Sequence, residues 1–238
     1  MCESHLWLFF KVKMMQKALQ NFDSWFPETK EEDGEAGLIH NMIKLEIYVT
    51  TLHYAEVLAA NLLAFRKKRK RFHKTLLSYI GSDIFEFYKK IKNRRLSYIA
   101  NLLGYPPLFQ VDSEKEKRAL KKSCIYVRRK LSEIGDLYLR FNSLYNAYKH
   151  GLRVGVSQSI DPKDPTPYAF IVWPPRKEKL DEAIVMRFGK LEPEIEMCEF
   201  MVAVLHAVTE TFRKRILQDK DSFNVVVFGD NKRTESNV

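Results

Sequence analysis

The run Leu38–Phe65, LIHNMIKLEIYVTTLHYAEVLAANLLAF, decides the fold. Leu38, Met42, Leu45, Val49, Leu52, Leu58, Leu62 and Phe65 recur at steps of three or four, with one six-residue step after Leu52. Side chains three and four apart share a helix face, so this spacing predicts an α-helix over about Ala36 to Lys70. Apolar residues also fill most of its remaining circumference, as expected of a helix enclosed by others. Its most apolar part, Leu45 to Phe65, still contains Glu46, His53, Glu56 and Asn61. Each is costly in hydrocarbon, which points to the centre of a helical bundle and against a membrane span.

Working outward, Val12, Met15, Ala18, Leu19 and Phe22 give helical spacing over about Phe9 to Phe26, stopping before Pro27. A polar, acidic turn follows from Lys30 to Gly37. A further helix is predicted from about Ser82, read as its N-cap, to Leu103, where Gly104-Tyr-Pro106-Pro107 stops it. The next helix runs from about Ser113 to His150 on Leu120, Cys124, Val127, Leu131, Ile134, Leu137, Phe141, Leu144 and Ala147, with Gly135 a place for a kink. At Gly151 the period changes. Leu152–Ser157, Tyr168–Trp173 and Ala183–Phe188 read as strands, with the proline-rich loop Asp161–Pro167 between the first two. Helical spacing returns over about Glu192 to Leu217, Phe223–Phe228 reads as a terminal strand, and the last ten residues read as disordered.

The expected fold is therefore mainly α: a bundle of four to six helices with a small antiparallel β insertion, about 152–189, before the last long helix. It divides into an N-terminal helix and acidic turn (1–35), a helical domain (36–217) and a C-terminal segment with its tail (218–238), all within one domain. An aromatic fraction of 13% and a hydrophobic fraction of 45% are ample for a core. Nine glycines and nine prolines leave room for few loops.

Forty Lys and Arg against thirty Asp and Glu give a net charge of +10, which favours polyanionic partners through counterion release. Cys2, Cys124 and Cys198 are odd in number and widely spaced, so neither a disulfide framework nor a zinc site is expected, and isolated thiols fit a reducing cytoplasm. Lys11 and Lys13 interrupt the apolar run Leu6–Phe10 too soon for a signal peptide. A glycine-rich phosphate loop and a serine nucleophile elbow are both absent.

One stretch reads as chemistry: Arg140–Gly151, RFNSLYNAYKHG. Asn142, Asn146 and His150 stand four apart and share one helix face. Lys149 and Arg153 flank His150, and two cations disfavour a charged imidazole. A neutral imidazole among cations suits a base that takes the 2′-hydroxyl proton of a ribose beside a phosphate. Asn142 and Asn146 would orient the imidazole or hold a phosphate oxygen, and Tyr145 or Tyr148 would stack on a base. An equally specific alternative is a helix end, with Asn146 and His150 satisfying the last carbonyls and Gly151 in the left-handed C′ position.

This helix ending in Asn146-x-x-Lys149-His150-Gly151, within a bundle, resembles the HEPN superfamily over about Ala36–Leu217. The resemblance implies a helical fold that dimerises, with paired motif helices forming a composite cleft. It also implies RNA as partner, and metal-independent endoribonuclease activity of a toxin or defence type, shared by many members but not all. On that basis His150, Lys149 and Asn146 are the candidate catalytic residues. The family pattern has an arginine, often followed by a polar residue, with four to six residues between it and the histidine. Here Ser143, Leu144 and Tyr145 hold those slots, and nine residues (141 to 149) separate Arg140 from His150.

A second candidate is the run Arg66, Lys67, Lys68, Arg69, Lys70, Arg71, followed by Phe72, His73 and Lys74. So dense a run repels itself unless anions neutralise it, and with Arg140 and Arg153 it forms the candidate RNA-binding set. Further cations at Lys89, Lys90, Lys92, Arg94, Arg95 and at Arg128, Arg129, Lys130 extend it; the alternative is a solvated helix C-terminus. Third, Glu46, Thr50 and His53 form a polar stripe at i, i+4 and i+7 on the most apolar helix. Facing inward, they would support the His150 cleft; otherwise they are partly exposed. His73 and His206 have no partner at ligand spacing, so neither metal nor cofactor is expected.

Overall fold

The computed structural model describes residues 4–26, 35–67, 72–107, 110–149, 154–157, 169–172, 184–187, 191–217, 224–229 and 234–237. Among them the chain is mainly helical, with eight helices: α1 (Ser4–Gln20), α2 (Phe22–Trp25), α3 (Glu35–Lys67), α4 (Phe72–Leu76), α5 (Gly81–Ile91), α6 (Leu96–Leu103), α7 (Glu114–Lys149) and α8 (Glu192–Leu217). None is long and apolar enough to cross a membrane. Three short strands, β1 (Val154–Ser157), β2 (Ala169–Val172) and β3 (Ile184–Arg187), pair antiparallel in chain order, Val154 against Val172 and Val172 against Ile184. Two more, β4 (Asn224–Val227) and β5 (Thr234–Asn237), pair antiparallel with each other.

The chain divides into two compact units, Met1–Tyr54 with Arg140–Cys198, and Ala55–Leu139 with Glu199–Val238. The helices α3, α7 and α8 each give residues to both.

In the first unit, Val12, Leu45, Ile47, Tyr48, Val49, Leu52 and Tyr54 are buried along with Phe141, Leu144 and Tyr145. Burying a side chain such as Leu52 contributes roughly 1.5–3 kcal/mol. The Tyr48 and Phe141 rings meet at 5.7 Å in a tilted pair. Thr51 Oγ1 lies 3.3 Å from Cys198 Sγ while bonding the Ile47 carbonyl at 2.8 Å. Leu38 and Met42, expected on the buried stripe, are 40% and 53% exposed. Burial on α3 starts with Asn41 and takes in most of the apolar residues from Leu45 onward. The first helix begins earlier than its spacing suggests and breaks at Asn21. There the backbone and side-chain amides both donate to the Lys17 carbonyl, at 3.0 and 2.9 Å, ending α1.

The second unit has an aromatic core of its own. Tyr88 stacks at 5.2 Å on Tyr138 and donates its hydroxyl to the Ala55 carbonyl at 2.7 Å. Phe72 packs on Phe65 at 4.6 Å and is buried, so it is no stacking surface for a base. Helix α7 runs through Gly135 without a break in its span. The glycine permits close approach: a Cβ there would come within 3.0 Å of Tyr88 Cδ1 and 3.3 Å of its Cβ.

The single helix expected from Ser82 to Leu103 is two. Tight bonds from Asn93 and Arg94 amides to the Lys90 and Ile91 carbonyls, at 3.2 and 3.1 Å, close α5, and Arg95 is extended before α6. The start lies earlier too: Asp83 Oδ2 accepts from the Ile80 amide at 3.1 Å, in place of a Ser82 cap. Gly104 ends α6 at φ 72°, with Tyr105 N bonding Ala100 O at 2.9 Å, the closure that left-handed glycine allows.

After that turn, the Tyr105 hydroxyl meets Ser123 Oγ at 2.8 Å and donates to the Val226 carbonyl at 2.6 Å. The Phe228 amide donates to the same Ser123 Oγ at 2.9 Å, and the Phe228 ring lies 6.3 Å from that of Phe200. The last ten residues, expected to be disordered, carry β5, because pairing with β4 satisfies its backbone.

Candidate functional site

The box at the end of α7 splits its residues between two jobs. Asn146 and Lys149 are exposed, Asn142 is half-buried, and Arg140 is exposed at the start of the same stretch. Tyr145 is 1% exposed, and its hydroxyl lies 2.7 Å from His53 Nδ1. It therefore offers no face to a base, contrary to the stacking role expected of it. Lys149 Nζ lies 4.4 Å from the centroid of that Tyr145 ring, a cation–π contact at the helix end. Tyr148, one turn from Tyr145 and partly exposed, donates its hydroxyl to Glu46. Burial, with Glu46 both accepting from the phenol and repelling its ionised form, pushes Tyr148 up to about 12. Tyr148 is thus a protonated donor at neutral pH.

The polar stripe of α3 receives these groups. Glu46 accepts from Tyr148 and from Lys11 Nζ at 2.8 Å, which joins α1 to the pair, and His53 Nδ1 shares a hydrogen bond with the Tyr145 hydroxyl. Thr50, between them in the stripe, is buried, and among the described residues its hydroxyl has no hydrogen-bond partner. The stripe thus supports the box, though it holds the tyrosines. His150, Gly151 and Arg153 lie outside the described residues.

Of the basic run, Lys68, Arg69, Lys70 and Arg71 also lie outside the described residues. Lys67 ends α3, and Arg66 is exposed, its guanidinium 4.4 Å from the Tyr98 centroid. Arg94 approaches the same ring at 4.7 Å, and Arg128 Nη1 donates to the Arg94 carbonyl at 3.2 Å. Other cations of the expected set are partnered. Lys90 and Lys89 share Glu86 at 2.6 and 4.0 Å, and Lys130 and Arg129 share Glu133 at 2.8 and 3.9 Å. Tyr98 escaped the sequence reading; a tyrosine three residues after two adjacent arginines was the available signal.

Cys124 and Cys198 are buried free thiols, and burial pushes Cys124 up to about 12. Among the described residues no cluster of three or more His, Cys, Asp or Glu could hold a metal. Comparison with known protein families, curated proteins and solved structures finds no match to this chain.

Proposed function

We propose that the protein binds RNA as a HEPN-like cytoplasmic homodimer, a bundle of four to six helices bearing a small β insertion at about 152–189. Asn146, Lys149, His150 and Arg153 line its site. The observation that carries this is the last turn of α7, where Asn146 and Lys149 stand exposed while Tyr145 and Tyr148 anchor the turn to α3. A cation and an amide held on a fixed helix end suit a phosphate and its neighbouring base. Catalysis on this surface is metal-independent transesterification. His150 takes the 2′-hydroxyl proton, and Lys149 and Arg153 offset charge on the phosphate as the 2′-oxygen attacks and the 5′-oxygen leaves.

A second reading, a non-catalytic helical interaction or scaffold protein, is favoured by the same anchoring. Two of the box's aromatic residues serve the fold, and no arginine occupies the slots at Ser143, Leu144 and Tyr145. Labelled RNA incubated with the protein in EDTA, beside His150→Ala, separates the two. Cleavage lost in the variant supports the nuclease; identical RNA patterns remove it. Binding is tested separately by salt titration between about 50 and 200 mM, where phosphate contacts demand a steep fall in affinity.

A further inference from the structure

Ion pairing sorts the cations of the second unit. Of the cations expected to extend the basic run, Glu86 and Glu133 claim Lys89, Lys90, Arg129 and Lys130; Arg66 and Arg94 lie against Tyr98, Arg128 bonds the Arg94 carbonyl, and Lys92 and Arg95 are exposed on the turn between α5 and α6. Among the described residues Arg66, Arg94 and Arg128 enter no ion pair. The nearby Asp83 carboxylate is engaged at the Ile80 amide.

Two guanidinium carbons at 4.4 and 4.7 Å from one centroid lie within about 9 Å of each other, the most those distances allow. Like charges that close repel, and the Tyr98 ring compensates only in part. Cation–π contact uses the face of a guanidinium and leaves its in-plane N–H donors available, the fork that matches phosphate oxygens. Arg128 reaches the same turn through the Arg94 carbonyl, and one such bond leaves most of its five donors uncommitted.

We infer that Arg66 and Arg94, held against Tyr98, and Arg128, bonded to the Arg94 carbonyl, form a phosphate-binding site for single-stranded RNA. The site deepens, and rests on, the RNA-binding proposal above, and it lies apart in sequence from the box at the end of α7. Single-stranded RNA fits because guanidinium groups bind phosphate oxygens through their N–H donors and also stack on unstacked bases.

The test is fluorescence anisotropy with a labelled oligouridylate of about twelve nucleotides, within the usual range of site sizes. It uses the full chain, Arg66→Gln, Arg94→Gln, Arg94→Lys and the control Lys121→Gln, which removes one exposed charge elsewhere on α7. Expected are a roughly tenfold loss for each glutamine variant, a log–log salt slope shallower by about one, and a partial loss for Arg94→Lys. The control keeps wild-type affinity. Arg66 is exposed, so its variant folds and keeps the result interpretable even if Arg94→Gln does not.

Wild-type binding that is steep in salt but unchanged in Arg66→Gln and Arg94→Gln overturns this site and leaves RNA binding standing. Absence of RNA binding by the wild-type chain overturns both. Tighter binding to phosphatidylserine vesicles than to RNA, lost in Arg66→Gln, also overturns it; Leu77 and Ile80, exposed at 86% and 64%, are what a bilayer would bury.

Discussion

His53 Nδ1 and the Tyr145 hydroxyl stand 2.7 Å apart, joining the polar stripe of α3 to the last turn of α7. Because Tyr145 is buried, the bond is screened little by water, and it holds Lys149 and Asn146 in register with α3. Tyr145→Phe should lower unfolding stability by about 1 kcal/mol. A urea-denaturation cycle with His53→Ala should show the two changes falling short of additivity by about 0.5–1.5 kcal/mol. Additive losses would mean that the two groups do not interact.

Two glycines should respond oppositely to the same change. Alanine at Gly135 gains roughly 1 kcal/mol of helix propensity, but its methyl would press on the Tyr88 ring and Cβ. Tyr88 is pinned by its bond to Ala55 and cannot swing aside, so overpacking of about 1–3 kcal/mol prevails and the melting temperature falls. At Gly81 an added methyl meets nothing within 4 Å, so Gly81→Ala should stabilise by about 0.4–1 kcal/mol. Thermal melts that rise for Gly135→Ala would show that α7 does not approach α5 as described.

Glu194 sits buried in the first turn of α8, and its Oε2 has no hydrogen-bond partner among the described residues. Burial raises its pKa above the ordinary 4.5, against the opposing bonds from its own amide and Tyr48. A raised pKa means that the folded state binds the proton more tightly than the unfolded chain. Its contribution is therefore fully present below pH 4.5 and is lost as pH rises through the folded-state value. Glu194→Gln keeps an acceptor for Tyr48 and has no proton to lose. Its stability relative to wild type should grow with pH across that window in urea titrations at stepped pH. Parallel curves would refute the assignment.

Cys124, pushed up to about 12 within the core, should resist alkylation. Thiolate is the nucleophile, so iodoacetamide at pH 8 should leave Cys124 unmodified in the folded protein and label it fully in denaturant, read by peptide mass spectrometry. Rapid labelling without denaturant would place the thiol at the surface.

Much of the helical skeleton was legible because it is written in local period. Glu192–Leu217 emerged with its bounds intact, since an acidic first turn containing Pro193 and the steps Ile195, Cys198, Met201, Leu205, Val208 all agree. The break between α5 and α6 was not, because Lys92, Asn93, Arg94 and Arg95 all tolerate a helix and only backbone closure distinguishes them. For the site, the Glu46–Thr50–His53 stripe was visible as an anomaly on an apolar helix. Its partners were not: Tyr145 and Tyr148 lie 92 and 102 positions away, and pairing over that separation belongs to tertiary structure. The convergence of Arg66 and Arg94 on Tyr98 was hidden likewise, two charges 28 positions apart becoming neighbours only once their elements meet.

The hydroxyls of Tyr105 and Ser123 give the carboxyl-terminal strand a clasp inside the second unit, gripping the Val226 carbonyl and the Phe228 amide. Trimming the chain ahead of Asn224 would strip that clasp of both main-chain grips and uncover the ring of Phe200. Engineers who shorten the protein to tidy its polar end would then be cutting into its interior.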